Sequence, residues 1–193
     1  MLNGWVLKMK NFVRKILSFS LCGLNCALCP MRIDGYCPGC GGGTGNQSCT
    51  IAKCSLQHGG VAYCFLCTEY PCGRYENIGE YDSFITHQRQ LSDLARAQEI
   101  GMDAYNEEQS QKAEILQKLL SDYNDGRRKT FYCLTINLLS LQAIKDAMQK
   151  ADKHVSLQAL TIKDKADYVA SLFQDIAVRQ GLVLKLRKKP AKE

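Results

Sequence analysis

The sequence predicts a mainly α-helical protein in which a small cysteine-rich, metal-stabilised N-terminal module precedes a bundle of about four helices. Ten of the eleven cysteines in the 193-residue chain lie between Cys22 and Cys72, together with nine glycines and few large apolar side chains. Such a segment has too little apolar surface to fold by burial alone, so bonds to metal would have to replace the missing core. From about Asp82 onward, glycines become rare and apolar residues recur at helical spacing.

We divide the chain into a basic N-terminal extension (residues 1–20), the cysteine-rich module (21–78) and an α-helical domain with a basic C-terminal tail (79–193). The apolar run within residues 8–24 contains Ser18 and Ser20 and has no small-x-small cleavage site, so we do not interpret it as a signal peptide. No stretch approaches the roughly 18 apolar residues of a membrane span. Because a disulfide framework would need an oxidising compartment, we expect a cytoplasmic protein with reduced thiols and no membrane contact.

The spacing of the cysteines indicates metal binding. Three C-x2-C pairs, Cys26/Cys29, Cys37/Cys40 and Cys64/Cys67, each place two thiolates on one tight turn, from which both sulfurs can reach one ion. The middle pair also carries the Pro and Gly that shape a metal knuckle. The candidate metal ligands are Cys22, Cys26, Cys29, Cys37, Cys40, Cys49, Cys54, Cys64, Cys67 and Cys72.

The spacing of the cysteines favours zinc and leaves 4Fe-4S clusters as the alternative. Paired C-x2-C turns are typical of closed structural zinc sites, whereas the C-x3-C-x2-C start and Pro30 after Cys29 resemble cluster ligation. Ten thiolates suit two four-ligand centres with two thiols left over. We expect Cys37/Cys40 to share an ion with Cys64/Cys67, and Cys26/Cys29 to draw on Cys22, Cys49, Cys54 and Cys72.

The strings CGLNCALCP, GYCPGC, CFLC and YPC, with C49-x4-C54 between them, resemble the cysteine-rich family called domain of unknown function 3795. The resemblance covers about residues 21–75 and implies that the ten cysteines are the signature positions of the family. It implies no reaction. The C22-x3-C26-x2-C29 triplet also matches the loop of radical S-adenosylmethionine enzymes, but the remaining chain lacks the alternating strands of their barrel.

Four helices are predicted in the second half. The first carries Phe84, Leu91, Leu94 and Ala95 and ends at Gly101; the others cover about Asp103–Asp122, Lys129–Asp152 and Lys163–Gln180, the last capped by Gly181. Leu182–Leu186 is interpreted as a short strand or an extended tail. Cys133 lies on the apolar third helix and is interpreted as a small buried hydrophobe.

Several other features favour an ordinary structural role. His58 is interpreted as a loop residue rather than a ligand, because thiols are in surplus. The glycine-rich run 41–45 lacks the ending of a phosphate-binding loop. The formal net charge is +6, and basic runs at both ends of the chain are more typical of solvated tails than of a nucleic-acid surface.

No catalytic residues are recognisable. We therefore expect two structural zinc sites in a protein of interaction or adaptor type, with an unidentified protein partner. The alternative is an iron-sulfur protein that acts as a redox or enzyme component.

Overall fold

The computed structural model describes residues 12–43, 49–156 and 159–190, and these are mainly α-helical, as predicted. Two short helices, α1 (Pro30–Ile33) and α2 (Thr50–Gln57), lie in the cysteine-rich segment. Within the described ranges five longer helices follow: α3 (Gln90–Ile100), α4 (Met102–Asp122), α5 (Lys129–Leu138), α6 (Leu141–Ser156) and α7 (Ile162–Arg179). The same ranges contain no β-strand and no helix that is long and apolar enough to cross a membrane.

The cysteine-rich segment is built mostly from turns. Three single 3-10 turns cover Cys26–Leu28, Cys64–Leu66 and Gly73–Tyr75. Pro30 stands at the first position of α1, where its missing N–H costs no helical hydrogen bond. Local hydrogen bonds thus replace extended secondary structure in this part of the chain.

The predicted third helix is two helices. Its apolar stripe runs on without a gap, but Leu139 has an extended backbone (φ −82°, ψ 153°) that ends α5. The Lys112 ammonium donates a hydrogen bond to the Leu139 carbonyl at 2.8 Å, and the Ser140 hydroxyl accepts one from Ala143 N at 3.3 Å near the start of α6. The periodicity could not reveal this break because both Leu138 and Leu139 are buried.

The other predicted boundaries are close to the observed ones, except at the first helix. That helix, α3, begins only at Gln90, so Phe84 precedes it and is 62% exposed. Gly101 joins α3 to α4 with φ +83°, a conformation that side chains with a Cβ rarely adopt. Residues 182–186 form no strand, and Asp82 N donates to the Arg187 carbonyl at 2.8 Å just beyond them.

Two apolar cores hold the chain together, and both combine residues from before and after residue 78. In the first core, Leu28 of the cysteine-rich segment packs among side chains of α4, α5, α6 and α7. In the second core, residues of the cysteine-rich segment and of its N-terminal flank pack against α3 and α4. Its buried members are Phe19, Cys22, Tyr63, Tyr75, Leu94, Ala97 and Tyr105. The boundary that we placed at residue 78 is therefore crossed by extensive side-chain packing.

Candidate metal centre

All ten candidate cysteines are free thiols in the structure, and they form two groups. The second cysteine group, as we call it, comprises Cys54, Cys64, Cys67 and Cys72, which line one cavity of about 30 Å³. The charge on Cys64 interacts with the charges of the other three.

The first cysteine group comprises Cys22, Cys26, Cys29, Cys37, Cys40 and Cys49. Cys22 interacts electrostatically with Cys40, Cys49 and Cys26, and Cys26 in turn with Cys40, Cys29 and Cys37. The expected partition of the ligands was therefore wrong. Cys64 and Cys67 lie with Cys54 and Cys72 instead of facing the Cys37/Cys40 knuckle.

Two of the C-x2-C pairs adopt the same turn. Cys29 N donates to the Cys26 carbonyl at 3.1 Å, and Cys67 N donates to the Cys64 carbonyl at 2.9 Å. In both turns the second cysteine has an extended backbone, with φ and ψ of −89° and 129° at Cys29 and of −82° and 138° at Cys67. This agreement supports the prediction that such pairs present two sulfurs from one turn.

The third pair lies on an irregular loop that two glycines make possible. Gly39 and Gly41 have φ values of +95° and +84°, and a Cβ at Gly39 would stand 2.1 Å from an Arg32 nitrogen. That Arg32 nitrogen donates to the carbonyls of Leu17 and Pro38, at 2.7 and 2.9 Å. Arg32 thus links the Cys37/Cys40 loop to Leu17, in the segment that precedes the first cysteine group.

Backbone N–H groups hydrogen-bond to several sulfurs of the first cysteine group. The sulfur of Cys29 is bonded by the backbone of Met31 and Arg32, and that of Cys40 by the backbone of Leu21. These bonds favour the thiolate, although burial is the larger effect and raises the pKa of both thiols. N–H groups that converge on a sulfur two and three residues earlier are the surroundings that a thiolate ligand requires.

Burial makes the innermost thiols weaker acids than an ordinary cysteine. It raises the pKa of Cys22 to about 12 and the pKa of Cys26 and Cys64 to about 11. A thiol that coordinates a metal cation loses its proton, because the cation supplies the missing positive charge. The groups therefore have the donor chemistry of metal sites in which binding would release protons.

The second cysteine group has a histidine at its edge that the sequence reasoning assigned to a loop. His58 Nδ1 lies 2.9 Å from the Cys54 carbonyl oxygen and 3.5 Å from its sulfur, and Nε2 lies 3.1 Å from a Glu69 carboxylate oxygen. The Cys54 carbonyl and then Glu69 raise the pKa of His58. The i, i+4 spacing of Cys54 and His58 at the end of α2 was the signal that could have placed His58 here.

Cys133 lies in α5, outside the cysteine-rich segment. It is only 3% exposed and belongs to the first apolar core, which confirms its prediction as a small buried hydrophobe. Burial raises its pKa to about 12, and the charge of Cys29 adds to this effect. Cys133 is therefore the natural control position for tests of metal binding.

Among the residues that the structure describes, no set of three or more His, Cys, Asp or Glu side chains stands in an arrangement that could hold an ion. Binding of an ion would therefore require the thiols of a group to move. Comparisons with protein-family models, curated proteins and solved structures returned no match. The resemblance to domain of unknown function 3795 accordingly stays a prediction, and the case for function depends on the two cysteine groups.

Proposed function

We propose that this protein binds two metal ions, one in each cysteine group, and that the ions are zinc in a structural role. The single observation that carries the proposal is the convergence of Cys54, Cys64, Cys67 and Cys72 on one cavity. Four cysteines are the complete ligand set of a closed structural zinc site. These four come from α2, from one C-x2-C turn and from the entrance to the 3-10 turn at Gly73.

The size of this cavity favours a single ion. Its volume of about 30 Å³ is that of two or three water-sized spheres, each of roughly 10–15 Å³. The small volume therefore favours one zinc ion over a cluster of four irons and four sulfides.

The position of the two groups supports a structural role. Leu28, next to Cys29, is inserted in the helical core, and the second core contains Cys22, Tyr63 and Tyr75. Metal bonds in the turns would hold these apolar side chains against α3, α4 and α5. The module would then present its exposed turns to an unidentified protein partner, as an adaptor does.

A second candidate function is an iron-sulfur protein that acts as a redox or enzyme component, with the cluster in the first cysteine group. The observation that favours it is the set of N–H groups bonded to Cys29 and Cys40, because such bonds tune cluster potentials. This group also has six thiols, more than one zinc ion uses.

Anaerobic purification followed by elemental analysis distinguishes these functions. We expect a colourless protein with two zinc ions per chain, and the same content in the Cys133→Ser variant. A brown protein with iron, sulfide and absorption near 400 nm would support the second candidate instead. A reduced protein that keeps its fold but binds neither metal would refute both.

A further inference from the structure

Arg14, in the basic N-terminal extension, packs against the cysteine-rich segment. Its guanidinium group donates hydrogen bonds to the Phe19 carbonyl at 2.7 Å and the Ala62 carbonyl at 3.1 Å. The guanidinium carbon also lies 4.8 Å from the centroid of the Tyr63 ring. Three contacts thus fix the position of a side chain that would otherwise be mobile.

The partners of Arg14 flank both cysteine groups. Phe19 precedes Cys22, and Ala62 precedes Cys64. On a third side, Arg14 N donates to the carbonyl of Gly41 at 3.4 Å, directly after Cys40. A Cβ at Gly41 would stand 2.8 Å from Arg14 Cγ, so the glycine makes room for this approach.

The charge of Arg14 has no carboxylate partner within the described ranges. The ion pairs there involve other cations, while Arg14 is bound by neutral carbonyls and an aromatic ring. The charge of Arg14 also favours the thiolate of Cys40, whose neighbour Gly41 packs against the Arg14 side chain. A guanidinium stays charged at every accessible pH, so a partly buried one favours an anion beside it.

We propose that Arg14 is a positioning residue of the first metal site: its fixed guanidinium group supplies, beside Cys40, the positive charge that offsets the excess negative charge of the thiolate ligands. This inference rests on the proposed function. Zinc held by four thiolates has a net charge of about −2, which a fixed cation nearby stabilises. Outer-shell partners of this kind typically contribute 10–100-fold to metal affinity.

The test compares Arg14→Gln, Arg14→Lys and the control Lys15→Gln, which removes a neighbouring exposed charge. Chelator competition on the full chain measures the zinc affinity of each site, and Co²⁺ substitution reports the thiolate-to-metal absorption. We expect Arg14→Gln to lower the affinity for one zinc ion roughly 10–100-fold and to leave the affinity for the other unchanged. Arg14→Lys keeps the charge but not the planar fork, so it should fold, bind with intermediate affinity and show a shifted Co²⁺ band. Lys15→Gln should behave as wild type.

The outcomes separate the two proposals. If wild type binds two zinc ions while Arg14→Lys and Arg14→Gln match it in affinity and Co²⁺ spectrum, the role of Arg14 is refuted and the proposed function stands. An equal loss of affinity for both zinc ions also refutes a role specific to the first site. A wild-type protein without metal affinity refutes the proposed function and, with it, the role of Arg14.

Discussion

The two 3-10 turns at Cys26–Leu28 and Cys64–Leu66 share one backbone conformation but have opposite surroundings. The third residue of each turn is a leucine, and Leu28 is fully buried whereas Leu66 is 57% exposed. The Cys26/Cys29 and Cys64/Cys67 pairs therefore form the same turn, and contacts distant in sequence determine what each turn packs against. The first turn joins the module to the helical bundle; the second leaves its leucine in solvent.

The residues that precede the two turns also differ in their surroundings. Asn25 precedes the first turn, and its buried amide donates to Asp93 at 2.8 Å and accepts from the Tyr105 hydroxyl at 3.1 Å. Tyr63 precedes the second turn and stacks on Phe65, with ring centroids 5.4 Å apart. A buried polar network fixes the first cysteine group to α3 and α4, whereas the second has aromatic packing on one side and His58 on its rim.

The largest expected effect is that of metal removal. A strong chelator under reducing conditions should destabilise the cysteine-rich segment by an amount on the order of 10 kcal/mol, since structural zinc sites store folding free energy of that size. Because both cores cross residue 78, we also expect faster amide hydrogen exchange in α3 and α4 beside the turns. Far-UV circular dichroism should retain most of the helical signal from α6 and α7. Unchanged exchange throughout residues 12–78 would contradict the account.

A matched pair of substitutions measures the difference between the turns directly. Leu28→Ala should lower the free energy of unfolding by about 2–5 kcal/mol, because it opens a cavity in the first core. Leu66→Ala removes the same atoms from an exposed position and should change the free energy of unfolding by less than about 0.5 kcal/mol. Urea denaturation of the metal-loaded proteins gives both values. Similar losses in the two variants would show that the turns are equivalent after all.

The smallest expected effect concerns Lys112, a buried cation near Asp93 in the network behind the first turn. Burial lowers the pKa of Lys112 to about 8, against 10.5 for an ordinary lysine. Between these pH values the unfolded chain binds more protons than the folded one, so this residue makes the free energy of unfolding rise with pH, by at most about 1.4 kcal/mol per unit. Below about pH 8 both states are protonated and the contribution is constant.

Comparison with Lys112→Met isolates this contribution from those of other titrating groups. The free energy of unfolding of Lys112→Met minus that of wild type should decrease between pH 8 and 9.5, because the wild-type value rises over this range. The same urea titrations at pH 7 and 7.5 serve as control, where the difference should be flat. A difference independent of pH up to 9.5 would mean that Lys112 is solvated in the folded protein.

Sequence patterns predicted the local structure better than the long-range contacts. Helices α4 and α7 begin and end within one or two residues of the prediction, because their apolar spacing and flanking residues are local signals. The break at Leu139 was missed, since it depends partly on Lys112, 27 residues earlier in the chain. The grouping of the cysteines was mispredicted for the same reason, as C-x2-C spacing favours a tight turn but does not determine which pairs face each other. Arg14 had no sequence signal beyond its charge.

In the proposed arrangement, Cys40 and Cys64 bind different metal ions. The most direct measurement is zinc content, by native mass spectrometry, of Cys40→Ser, Cys64→Ser and the double variant, with Cys54→Ser/Cys64→Ser as control. Each single substitution should remove one zinc ion, the Cys40/Cys64 double variant should bind none, and the Cys54/Cys64 double variant should keep one. If the Cys40/Cys64 double variant keeps one zinc ion while the Cys54/Cys64 double variant binds none, Cys40 and Cys64 share a site and the two-group account is contradicted.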